Sequence, residues 1–165
     1  MITLEQLLES RDRRSGHQME LLGKHPGSSV VCLTVQLPGS EKRNSISLAI
    51  ADAGLKALRD AFPGFEPEVR DLETGFEAYL TLAMPAVELK RICCGIEDSH
   101  PLGRLMDIDV ICADGPLGRA RVGLEPRKCL LCSNEARLCM RMHSHTREEL
   151  LEKIGQMVDA YVRKS

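Results

Sequence analysis

From Leu105 to Cys112 the chain reads Leu-Met-Asp-Ile-Asp-Val-Ile-Cys, an apolar run interrupted twice by carboxylates. Its length and apolar content are those of a buried strand. A carboxylate is seldom fully buried without a partner, and leaving one unpaired in an apolar setting is costly. On a strand, residues i and i+2 point to the same face. Asp107 and Asp109 therefore stand side by side, with Met106, Ile108 and Val110 on the opposite face. A chain with such a strand must give it one dry face and one polar face. The polar face is either the wet side of an edge strand or a site that holds something positive.

Like charges this close repel, and one of them tends to take up a proton. A divalent cation removes the repulsion, and Mg²⁺ favours one or two carboxylates plus substrate phosphates over a full protein cage. Asp107 and Asp109 are thus candidate Mg²⁺ ligands and catalytic residues for phosphoryl or nucleotidyl transfer, in which metal ions stabilise the attacking and leaving oxygens. The segment before them, His100-Pro101-Leu102-Gly103-Arg104, reads as a turn. Gly103 would let backbone N–H groups approach a phosphate, and Arg104 is suited to bind one. His100 is a candidate substrate contact or general base. The glycine followed by Asp-Ile-Asp-Val resembles the nucleotidyltransferase superfamily signature, with a shorter gap than usual. A third carboxylate is unassigned, Glu97 and Asp114 both being candidates.

The rest of the chain supplies elements for one α+β domain spanning residues 1–165, with helices packed on a mixed or mostly antiparallel sheet. Thr3 and Gln6 form a capping box that opens a first helix. Its face at helical spacing runs Leu4, Leu7, Arg11, Arg14, Gln18 and Leu21 or Leu22, apolar at both ends and polar between. Either this helix covers a polar cavity with Arg11, Arg14 and Gln18 as binding residues, or it breaks near Gly16 with a solvated middle. Ser28–Leu37 reads as a strand and Ser47–Ala61 as an amphipathic helix. Glu68–Glu73 and Phe76–Leu82 form a hairpin around Thr74-Gly75. Pro85 opens a helix that runs to about Asp98, and Val122–Leu124 reads as a short strand. A second capping box, Thr146 with Glu149, starts a C-terminal helix with Leu150, Leu151, Ile154, Met157, Val158 and Tyr161 on its apolar face.

Net charge is −2, which gives no global argument for nucleic acid, and with no Trp, 2 Tyr and 3 Phe the chain lacks platforms for base stacking. No apolar run reaches the ~18 residues of a membrane helix, and the N-terminus has no signal-peptide pattern; a cytoplasmic protein is expected. The charge is uneven. Between Gly118 and Arg147 seven Lys or Arg face two Glu, which suits a phosphate-bearing ligand or an acidic partner. Arg119 and Arg121 are the candidates there. The 7 cysteines point to thiols or ligands rather than a disulfide framework. Cys129-x2-Cys132 can place two thiolates on one Zn²⁺, and Cys139 with His143, at i and i+4 on a short helix, can complete a tetrahedral site. Small buried thiols packing that helix, Asn134–Met140, are one alternative, and a redox dithiol, without a thioredoxin-like context around it, is another.

These segments in their order resemble the apo-citrate lyase phosphoribosyl-dephospho-CoA transferase (CitX) family. The resemblance is carried by Arg11, Arg14 and Gln18; His25-Pro26; Leu37-Pro38-Gly39 with Lys42; HPLGRLMDIDV; Gly118-Arg119; and RKCLLC with Cys139, Arg141 and His145. It covers nearly the whole chain. It implies transfer of a phosphoribosyl-dephospho-CoA group from 2'-(5''-triphosphoribosyl)-3'-dephospho-CoA to a serine of the citrate lyase acyl carrier protein, its gamma subunit, with release of pyrophosphate. It also supports Gly103, Arg104, Asp107 and Asp109 as the catalytic segment. Without it, two further classes fit the residues: a small zinc-binding interaction module, and a nucleotidyltransferase that uses ATP on another acceptor.

Overall fold

The computed structural model describes residues 1–165. Five helices, α1 (Leu4–Lys24), α2 (Ser45–Ala61), α3 (Ala86–Ser99), α4 (Ala136–Met142) and α5 (Arg147–Lys164), accompany five strands. The strands are β1 (Ser29–Val35), β2 (Glu68–Leu72), β3 (Gly75–Leu82), β4 (Met106–Cys112) and β5 (Gly115–Pro116). They form one sheet in the order β2-β3-β1-β4-β5, with every pairing antiparallel. The expected α+β class holds, and the sheet is antiparallel throughout. No helix is long and apolar enough to cross a membrane.

The alternation of the strands sorts the sheet into two unlike faces. Val31 and Leu33, Ala78 and Leu80, and Met106, Ile108 and Val110 point into a 22-residue core shared with α2, α3 and α5. The other face carries a cluster of only four buried residues, Val30, Cys32, Tyr79 and Ile111, on which Leu21 and Leu22 of α1 pack. Away from that cluster this face is polar. Register aligns Glu77, Thr34 and Asp107 across β3, β1 and β4, and Tyr79, Cys32 and Asp109 in the next row.

Helix α1 follows its sequence pattern. It runs unbroken through Gly16, with the Thr3–Gln6 capping box closed at its start. The polar middle of the helix lies on the polar face of the sheet: Ser10 donates to Thr74 at 3.0 Å, Arg14 reaches Glu77 at 3.7 Å, and the His17 ring meets Tyr79 edge-on at 4.7 Å. The expected capping box of α5 is also formed, and Asn44 with Ser47 builds one for α2. Two local expectations fail. Val122–Leu124 is no strand; a 3-10 turn covers Arg119–Val122 and Gly123 follows with φ 75°, a left-handed conformation that ends it. Pro85 stands just before α3 rather than within it.

A second 3-10 turn, Gly103–Leu105, links α3 to β4. A Cβ on Gly103 would lie 2.4 Å from the Ile96 carbonyl oxygen and 2.5 Å from that of Glu97. Those are helix backbone atoms and cannot rotate aside as a side chain can. Gly103→Ala should therefore destabilise the fold by about 1–3 kcal/mol, the usual range for overpacking. Urea unfolding checks this; an unchanged midpoint would show that α3 and β4 need not approach so closely.

Candidate active site

Strand β4 presents Asp107 and Asp109 on the polar face, as their spacing requires, and its position is set from the outside. At Ile108 one edge of β4 pairs with Leu33 of β1, while β5 reaches only Ile111 and Cys112. Side chains of α3 occupy the edge that β5 leaves open. The Ile108 N–H donates to Glu97 Oε2 at 2.9 Å, and Lys90 Nζ donates to the Ile108 carbonyl at 3.3 Å. Both side chains are buried. The residue between the two aspartates is thus gripped by one anion and one cation.

Glu97 then requires counter-charges of its own. Arg119 donates to Oε1 at 2.8 Å and Arg127 to Oε2 at 3.3 Å. Arg127 also donates to the carbonyls of Gly103 and Arg104, each at 3.0 Å, and its guanidinium stands 3.9 Å from Asp107. Across the pair, Arg14 of α1 reaches Glu77, itself buried and accepting the Tyr79 hydroxyl proton at 2.5 Å.

Asp109 is exposed to water, with Asp107, Lys90, Glu97 and Arg14 as the charged groups around its carboxyl. Lost hydration first, and the neighbouring Asp107 second, push its carboxyl up to about 6. Lys90 and Arg14 oppose that rise only in part. Asp107 is part-buried, with Arg127 at 3.9 Å as its charge partner. Two carboxylates on one face, one of them open to solvent and raised by its twin, fit a divalent cation: they supply charge in excess of what the protein neutralises.

Of the residues singled out from sequence, the structure brings Asp107, Asp109, Arg14 and Gln18 to this face; the surroundings of the buried Cys32 include Gln18, Arg14 and Asp109. Arg11 lies near Lys42, a half-buried lysine that donates to the Leu37 carbonyl and whose pKa is lowered by burial and by Arg11. Arg104 lies in the 3-10 turn just before β4, with its Nε donating to the Lys128 carbonyl.

Other candidates lie elsewhere. The His100 ring packs at 5.4 Å on Tyr161 of α5, on the helix side of the sheet, in a hollow shared with Lys56 of α2, while its Nδ1 accepts the Leu102 N–H. Gly103 donates its own N–H to the His100 carbonyl at 2.8 Å, and its lack of a side chain permits the close approach to α3. Arg119 is tied to Glu97 and Asp98, and Arg121 is exposed on the same turn. Glu97 is not a third carboxylate for the pair, since its oxygens serve Ile108, Arg119 and Arg127. Glu77 is the further carboxylate on this face, two strands from Asp107. Lys90 and Arg127 are not marked as site residues by the sequence, and Glu97 is marked only as a carboxylate, because nothing local identifies a side chain that will serve a strand edge.

The cysteine cluster forms with one change of member. Ligand atoms of Cys129, Cys132, Cys139 and His145 all lie within 4.8 Å of one another. His143 is excluded because it caps α4 in the left-handed conformation, φ 48°, and is exposed. That turn reverses the chain and brings in His145, whose Nε2 is buried without a hydrogen-bond partner. Burial opposes ionisation of Cys129, yet the N–H groups of Leu131 and Cys132 and the other thiols bring it down to about 7. Burial raises Cys139 to about 11. Three sulfurs and an orphan imidazole nitrogen make a metal-ligand set.

Comparison with known proteins agrees over the same span. Residues 2–161 match the CitX family, described as apo-citrate lyase phosphoribosyl-dephospho-CoA transferase. A probable apo-citrate lyase phosphoribosyl-dephospho-CoA transferase of Vibrio cholerae is 38% identical over 97% of this chain and 93% of its own length. One from Streptococcus pyogenes is 32% identical over 99% and 88% respectively. The protein CitXG of Haemophilus influenzae is 36% identical over 94% of this chain, which spans 35% of that longer protein.

The electrostatics of the pair give a stability prediction. Asp109 has a higher pKa folded, about 6, than the ~3.9 of an unfolded aspartate. Its ionisation therefore opposes folding above that window, and the cost fades as pH falls from 6 towards 4. With divalent cations chelated, Asp109→Asn should melt a few degrees higher than the wild type above pH 7, and the gain should vanish near pH 4. An Asn variant less stable at neutral pH would contradict the charge argument.

Proposed function

The chain belongs to the apo-citrate lyase phosphoribosyl-dephospho-CoA transferase family of transferases, and from that premise we propose that it attaches phosphoribosyl-dephospho-CoA to a serine of the citrate lyase acyl carrier protein. The donor is the triphosphoribosyl-dephospho-CoA, and pyrophosphate leaves. The observation that carries this reading at the level of chemistry is the Asp107–Asp109 pair, held on a polar sheet face with Arg14 and Arg127 flanking it.

Asp107 and Asp109 would hold Mg²⁺, which when bound neutralises charge on the triphosphate. Arg14, Arg11 and Lys42 form a cationic side for the same phosphates, with Arg104 a further candidate at the head of β4. The carrier serine oxygen attacks the phosphorus nearest the ribose. A serine–phosphorus bond forms, the bond to the bridging oxygen of pyrophosphate breaks, and the electron pair leaves with pyrophosphate. With His100 behind the sheet, the serine proton passes to the aspartate pair. Zn²⁺ is the ion that suits the Cys129, Cys132, Cys139 and His145 set, since tetrahedral sulfur and imidazole ligation is its preference.

The carrier would dock on the basic segment. Arg137 and Arg141 are exposed on α4, and so are Leu138, Met140 and Met142. An acidic partner with an apolar patch suits that surface, and attraction of this kind weakens as salt screens it.

Asp107→Asn and Asp109→Asn should each lower pyrophosphate release by on the order of 100-fold or more, through lost metal-held charge in the transition state, with the fold intact by circular dichroism. Near-normal turnover in both variants would remove the pair from the mechanism. Raising the salt concentration should lower kcat/KM several-fold, mostly through KM for the carrier; a salt-independent rate would remove the docking assignment.

A further inference from the structure

The metal-ligand cluster is built against the turn that precedes the aspartates. Residues 127–136 close into a small hairpin: the Ala136 N–H donates to the Arg127 carbonyl at 2.9 Å, and the Cys129 N–H donates to the Asn134 carbonyl at 2.7 Å. Cys129 and Cys132 lie in its loop, Cys139 comes from α4, and His145 comes from the chain beyond it. Two arginines join the base of this hairpin to the active face. Arg104 Nε donates to the Lys128 carbonyl. Arg127 donates to the carbonyls of Gly103 and Arg104, pairs with Glu97 and reaches Asp107.

Little else holds that hairpin in place. Between Gly123 and His145 the only buried residue is Cys139. Leu130 adds a partly buried contact to the main core, and α4, with 7 residues, is too short to stand alone. The cluster shows a site arranged for an ion. Cys132 Sγ and Cys139 Sγ are 3.4 Å apart, near the roughly 3.8 Å that zinc–sulfur bonds of about 2.3 Å set in a tetrahedron. The Leu131 N–H donates to Cys129 Sγ at 3.4 Å, and His145 Nε2 waits without a partner. Binding energy at such a site is folding energy for the segment around it.

We propose that Zn²⁺ bound by Cys129, Cys132, Cys139 and His145 fixes Arg127 and Arg104 against the Gly103 turn, so that the metal site positions the catalytic strand. Arg127 is the positioning residue that carries this from one site to the other. The inference rests on the reading of the aspartate pair as the site of transfer, but the coupling is physical and can be measured without substrate.

The test starts from the full chain as purified. Elemental analysis should find one zinc per chain, lost in Cys139→Ser and in His145→Ala; no zinc, and none taken up on addition, overturns the site. Hydrogen–deuterium exchange is then followed in peptides covering Gly103–Asp109, which include the Ile108 N–H held by Glu97. Chelation of the zinc should speed exchange there at least tenfold, reversibly on zinc addition, with α2 unchanged. Arg127→Ala with its zinc still bound should loosen the same peptides, and this variant carries the test if the zinc-free chain unfolds. Unchanged exchange in zinc-loaded Arg127→Ala overturns the coupling. In transfer assays, chelation and Arg127→Ala should each lower kcat/KM at least tenfold and should not add when combined; additive losses also overturn it. If exchange behaves as stated but the wild type transfers nothing, the functional reading fails and the coupling stands.

Discussion

The grip of α3 on Ile108 is the interaction on which the rest depends. Glu97 takes its N–H and Lys90 supports its carbonyl, in place of the strand that is missing from that edge. A slip of one residue in β4 would send Asp107 and Asp109 into the main core and turn Met106, Ile108 and Val110 outward. The register with β1 opposes that slip on one side, and the two side chains oppose it on the other. Glu97 is almost fully buried, and a buried carboxylate that lost its partners would be an uncompensated charge. Its need for Arg119 and Arg127 folds the segment after β5 back over α3. One carboxylate thereby ties together strand, helix, turn and the cysteine hairpin.

Much of this was legible in the sequence, and the parts that were not share a cause. The alternation of β4, the two capping boxes and the apolar stripe of α5 are local patterns, and each is found where its period places it, except that Leu151 at the start of the stripe is exposed. The polar middle of α1 was legible as a stripe; only the sheet shows that Glu77, Cys32 and Asp109 lie beneath it. Sequence neighbours misled in other places. His100 is close in the chain to Asp107, but the turn between them sends its ring to the helix side of the sheet. Arg119 reads as a free cation in a basic segment until Glu97 and Asp98 are placed beside it. The i, i+4 spacing favoured His143 as a ligand, and it holds only while a helix continues; α4 ends at Met142 and the left-handed His143 hands the ligand position to His145. Gly103 was read for its backbone freedom and serves through its small size.

Stability and function pull against each other on the polar face. Asp109 carries its charge beside a like charge and with its hydration reduced, an arrangement a chain selected only for stability would avoid. The same excess of negative charge is what a divalent cation and a triphosphate need. The cationic residues lie on different elements: Arg14 on α1, Lys42 in the loop before α2, and Arg127 at the base of the cysteine hairpin. A small α+β fold thus concentrates opposed charges on one sheet face while the other face supplies the core.

The most direct measurement is the intact mass of the apo acyl carrier protein of citrate lyase after incubation with this protein, Mg²⁺ and the triphosphoribosyl-dephospho-CoA donor. The account predicts a gain of one phosphoribosyl-dephospho-CoA per carrier, absent when the acceptor serine is replaced and absent with Asp107→Asn. A carrier of unchanged mass, with a folded enzyme and a competent donor, would contradict it.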